Sequence, residues 1–172
     1  MLGMPLHPLV VHFPIVLTFL LPISAIVALW AVRKGTTPRK AWAVPVALAA
    51  ALSLSAFVAT QTGEAEEDRV EQVVAKGAIH GHEEAAERFL VLSGVLLVVT
   101  AAGLLPKTLG RAARVVATVG AVGLVAAAAQ VGHSGGTLVY REGAASAYAS
   151  PGSDSGPARP VTRAEPDEDE DH

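Results

Sequence analysis

Four stretches of this sequence contain no Asp, Glu, Lys or Arg: residues 9–32, 41–60, 89–106 and 115–132. Each is 18 to 24 residues long, and about 20 apolar residues in a helix cross the hydrocarbon core of a bilayer. All 13 basic and all 16 acidic residues fall between or beyond them. A soluble domain carries about a quarter of its residues as charges, whereas here the share is 17%, against 51% hydrophobic. That distribution excludes a soluble enzyme and a nucleic-acid-binding module. Cysteine is absent, which removes a disulfide-stapled scaffold, thiolate metal ligands, iron–sulfur clusters and covalent c-type haem, but not a haem held without covalent links. The fold class expected is all-α: an integral membrane up-down four-helix bundle.

The order of charges orients it. Arg33, Lys34, Arg39 and Lys40 lie between the first two spans, and Lys107, Arg111 and Arg114 between the last two, with no acid in either loop. Basic loops face the cytoplasm, so the N-terminus, the loop 61–88 and the C-terminus are expected to be extracytoplasmic. Met1 to Pro8 carries no charge and Arg33-Lys34 follows the first apolar run, the reverse of a secretory signal peptide; the first span is kept.

Residues 1–143 thus read as the membrane domain. Pro14 and Pro22 predict a kinked or locally opened first span. Val70, Val73, Val74, Ala78 and Ile79 recur at helical spacing in the loop 61–88 and predict an amphipathic helix there, with Gly77 and Gly81 as breakers before the third span. Gly132 to Gly136 reads as the stop of the fourth. Residues 144–172 are rich in Ala, Ser, Gly and Pro and end in an acidic run, a composition too poor in apolar surface to order itself.

Five histidines fall on the extracytoplasmic side of this topology: His7, His12, His80, His82 and His133. His172 belongs to the tail. His12 lies one turn inside an apolar helix, where an ionisable group is costly and faces the bundle interior or a cavity. His80 and His82 point about 200° apart on a helix, so one of them should face the bundle; the run His82, Ala86, Ser93 continues into the third span and favours His82. Glu83 and Glu87 lie close enough to hydrogen-bond a ligating imidazole, or simply to complement a helix N-terminus. Gln130, one turn before His133, points to a polar interior beneath it.

The string His7-Pro8-Leu9-Val10-Val11-His12-Phe13-Pro14 resembles the N-terminal signature of a bacterial family of small four-span predicted membrane proteins, a domain of unknown function. The similarity extends to Thr62-Gly63, His82-Glu83, Gly132-His133-Ser134-Gly135-Gly136 and Leu138-Val139-Tyr140. Some relatives are joined to cytochrome-like or other redox modules, so the resemblance implies a non-covalent haem b in a multi-pass protein of the bacterial plasma (inner) membrane.

Haem iron takes axial histidines from facing helices of a bundle. The expected pair is His12 and His82, with His80 as the alternative to His82 and with His7 and His133 as a second pair or as groups that support the first. Lys76, Arg88 and Arg141 are the expected partners of the propionates. Such a haem would exchange electrons with a quinone or an extracytoplasmic redox protein. The competing reading is a zinc or copper site or a pH-sensing scaffold subunit. Neither a nucleophile with its base nor a phosphate loop occurs, so the chain is not expected to be an enzyme by itself.

Overall fold

The computed structural model describes residues 6–148, and all its regular elements are helical. They are α1 (His7–Val10), α2 (His12–Arg33), α3 (Pro38–Glu64), α4 (Glu67–Val70), α5 (Lys76–Ala102), α6 (Lys107–Tyr140) and a closing 3-10 helix (Ala144–Tyr148). The four long segments, α1 with α2, then α3, α5 and α6, are each long and apolar enough to span a membrane. α2 packs on α3 and α6, and α5 packs on α3 and α6, closing a ring of four. The up-down all-α bundle is therefore the fold of this chain, as its charge gaps imply.

The break between α1 and α2 falls at Val11. Pro14 has no amide to give the Val10 carbonyl, so the ladder opens there; Pro22 stays inside an unbroken α2. The core is a seam of small and large residues: Leu21, Leu52, Phe89, Leu96 and Leu124 pack against Ala25, Ala28, Ala49, Ala56, Ala117 and Ala121. Most of the apolar surface faces outward instead, including Phe13, Phe19, Trp30, Leu54, Val98 and Val119. That is the inverse of a soluble bundle, and it suits a lipid surround, where small residues at helix contacts allow close approach.

Two loop regions depart from expectation. The amphipathic helix sought across Val70 to Ile79 is two pieces: α4 ends at Val70 and α5 begins at Lys76, running through Gly77 and Gly81. Val74, Ile79, Leu138 and Ala144 form a small core of their own beside the main seam. Likewise α6 does not stop at Gly132 but continues through Gly136 to Tyr140. A glycine inside a helix costs only about 1 kcal/mol relative to alanine, which packing readily offsets.

The ends of the bundle differ. At the basic end, Trp42 is fully buried and its indole N–H donates to the Thr100 carbonyl at 2.8 Å. Arg114, counted from sequence among the loop charges, is buried and donates to the Gly103 carbonyl at 2.5 Å. A side chain on Gly110 would place its Cβ 1.8 Å from the Leu105 carbonyl oxygen. The opposite end holds the histidines and a cavity.

Candidate functional site: an imidazole pair in an acidic cavity

α1 carries His7 against α3, where its Nδ1 lies 2.8 Å from the Ala59 carbonyl oxygen. α5 carries His82 against α6, where its Nδ1 lies 2.9 Å from Ser134 Oγ. The two rings meet edge to face, with centroids 6.2 Å apart and planes at 82°. Each ring leans on a glycine. A Cβ on Gly63 would lie 3.2 Å from His7 Cε1, and one on Gly135 would lie 3.1 Å from His82 Cε1.

These contacts orient the two rings. A carbonyl only accepts, so His7 donates from Nδ1. Ser134 spends its proton on the Val131 carbonyl at 3.0 Å, so its oxygen accepts from His82 Nδ1. Each imidazole is thus held through Nδ1, an anchoring that orients the ring.

The rings line a cavity of about 650 Å³. Val70, Ile79, Ala86, Leu138 and Val139 supply apolar wall, and Glu64, Glu66, Glu67, Glu83 and Glu87 supply carboxylates; among the described residues no Lys or Arg lines it. Its far wall is the 3-10 helix, through Ala144, Ala145 and Tyr148. Glu66 joins that wall to His7: its Oε1 accepts the backbone amides of Leu6 and His7 at 2.6 and 3.2 Å, and its Oε2 accepts the Tyr148 hydroxyl at 2.7 Å. Burial pushes the Glu66 carboxyl up, but the Tyr148 hydroxyl and the two amides outweigh it and hold it below the ordinary value. Partial burial and the bond to a carboxylate push the Tyr148 phenol up to about 12. The Arg69 guanidinium lies over the Tyr148 ring, 5.2 Å from its centre.

The residues expected at the site divide. His7, His82, Glu83 and Glu87 line the cavity. His12 is exposed, with Nδ1 3.3 Å from the Leu9 carbonyl, and takes no part in the lining. Five residues apart on a helix, His7 and His12 point about 140° apart, so a chain that turns His7 inward turns His12 out. His80 is exposed, with Nδ1 3.9 Å from Glu83 Oε2, and His82 is the one that turns in. His133 is exposed because its neighbour Ser134 takes the inward position. Gln130 is exposed too, so the polar interior expected beneath His133 is not built by it. Arg88 pairs with Glu84 at 2.5 Å and Lys76 with Glu71 at 2.8 Å, while Arg141 is exposed; none of the three lines the cavity.

Glu66, Arg69, Ser134 and Tyr148 escaped the sequence reading. Ser134 and the two supporting glycines lay inside the quoted motifs Thr62-Gly63 and Gly132 to Gly136, which were read as resemblance and as a helix stop. Glu66 sits in a run of acids with nothing to single it out. Tyr148 falls in the stretch whose composition reads as tail. Residues 149–172 lie outside the described residues.

The family model described as Predicted membrane protein (DUF2231) matches residues 3–147. No curated protein and no solved structure matches the chain. With most of its length covered, and with four apolar membrane-spanning helices, the chain belongs to the DUF2231 family of predicted membrane proteins.

Proposed function

We propose that this protein is a membrane haem-binding protein of cytochrome-like type, in which His7 and His82 hold a b-type haem for electron transfer. The observation that carries this reading is the imidazole pair itself: two rings from different helices, each held through Nδ1, lining one cavity. The 650 Å³ volume suits a large flat ligand, since such pockets run to about 300–1,000 Å³. Bound haem would supply one-electron chemistry. The chain would supply His7 and His82 to hold it and the apolar wall of Val70, Ile79, Ala86 and Leu138 against its flat body.

This reading replaces the sequence-based pair His12 and His82 by His7 and His82. With it we place the histidine end on the extracytoplasmic side of a bacterial plasma membrane, on the strength of the basic residues Arg33, Lys34, Arg39, Lys40, Lys107 and Arg111 gathered at the other end. The redox partner would then be a quinone or an extracytoplasmic protein, and the chain would not be an enzyme by itself.

One observation favours a second reading. Among the described residues, five carboxylates and no Lys or Arg line the cavity, a field that attracts a zinc or copper ion and repels the anionic edge of haem. Against it, no three His, Asp or Glu side chains converge on one point among the described residues, and a small ion needs three or four ligands at about 2 Å, whereas haem asks for two.

Visible spectra of the detergent-purified protein, oxidised and dithionite-reduced, separate the two. Sharp reduced Soret and α bands lost in both His7→Ala and His82→Ala, and retained in His12→Ala, are expected. A colourless protein from haem-supplied cells, with stoichiometric zinc or copper by elemental analysis, would sink the haem reading.

A further inference from the structure

We propose that the 3-10 helix Ala144–Tyr148 is a latched wall of the cavity, and that the hydrogen bond from Tyr148 to Glu66 governs access to His7 and His82. Gly143, at φ +75°, is the joint at which the chain leaves α6. That backbone conformation is open to glycine and strained for other residues. Beyond the joint, Ala144 is buried with Val74, Ile79 and Leu138, which anchors the near end of the wall. The far end is held by polar contacts: the Tyr148 hydroxyl on Glu66 and the Arg69 guanidinium over the ring.

The two sides of Glu66 are unequal. Its Oε1 holds two backbone amides at the start of α1, which cannot leave without unseating the helix that carries His7. Its Oε2 holds one phenol on a five-residue helix. When the joint between these segments yields, the wall moves and His7 stays. Glu66 is therefore a positioning residue for His7, and Tyr148 is the part that opens.

The inference shares its cavity with the haem reading but rests on the protein's own hydrogen bonds, and its test needs no bound group. Diethyl pyrocarbonate modifies neutral imidazoles, and mass spectrometry of the full-length protein in detergent reads each histidine separately. His80 and His133, both exposed, serve as internal standards. In wild type, His7 and His82 should react more slowly than these two. Tyr148→Phe removes one hydroxyl and should raise the rates at His7 and His82 about tenfold, the effect of one hydrogen bond to a charged group, leaving His80 and His133 unchanged. Glu66→Gln should raise His7 at least as much as His82, because it also loosens the α1 amides. Unchanged rates at His7 and His82 in Tyr148→Phe, or an equal rise at all four histidines, would overturn the latch. A colourless protein that shows the selective rise would remove the haem reading and keep this one.

Discussion

At the basic end, Trp42 is wholly buried, its N–H meets the Thr100 carbonyl, and Gly103 and Gly110 leave no room for even a methyl group. At the histidine end the same helices enclose about 650 Å³ lined by two imidazoles and five glutamates. Close packing of this kind is what stabilises a fold, and a cavity forgoes those contacts. The difference divides the bundle: one end is packed shut, and the other keeps a cavity.

If that division is right, the largest effects on stability come from the basic end. Trp42→Ala should cost about 3–5 kcal/mol, the range for truncating a large buried aromatic, seen as a lowered midpoint of thermal unfolding in detergent by circular dichroism. Gly110→Ala should follow at about 1–3 kcal/mol, because its Cβ would collide with the backbone carbonyl of Leu105 and not with a side chain able to move. Comparable losses from His7→Ala and His82→Ala would erase the contrast between the ends.

A smaller and sharper effect distinguishes two neighbouring glycines of α6. Alanine favours a helix over glycine by about 0.8–1.0 kcal/mol, and nothing lies within 4 Å of a Cβ at Gly136, so Gly136→Ala should raise the unfolding midpoint and leave binding unchanged. Gly135→Ala gains the same propensity but crowds the His82 ring. It should leave stability within about 0.5 kcal/mol of wild type and weaken retention of the bound group, read as haem or metal per protein after gel filtration.

The smallest effect is in pH. Glu66 has a folded-state value below its ordinary 4.5, so its contribution is present above that value and fades as pH falls through the lower folded one. Tyr148 is raised from its ordinary 10.0 to about 12, so its contribution is complete below pH 10 and fades as pH rises toward 12. The difference in unfolding midpoint between wild type and Tyr148→Phe should therefore be flat from about pH 5 to 9 and shrink outside it. A slope within that window would assign the latch to another group.

The spans were legible because a charge in hydrocarbon is so costly that its absence over 18 residues is a physical signal in itself. The ends of the helices were not. Gly77, Gly81 and Gly132 to Gly136 carry the residue type that usually stops a helix, and whether one does depends on what packs beside it: at Gly135 the neighbour is His82, which is far away in sequence. The inward turn of His82 rather than His80 follows from helical spacing alone. The choice of His7 over His12 does not, because depth in the membrane favours His12, while the direction each ring faces is set by where α1 meets α3. Tyr148 was hidden for a different reason: five ordered residues at the edge of a low-complexity stretch leave no imprint on composition.

The continuity of α6 builds one wall of the cavity. Its 34 residues extend about 50 Å at 1.5 Å per residue, against a hydrocarbon layer of about 30 Å. The surplus is shared between Lys107 and Arg111 at one tip and the turns from Gly135 to Tyr140 at the other. The helix therefore outlasts the layer it crosses, and it is the surplus, through Leu138 and Val139, that walls the cavity.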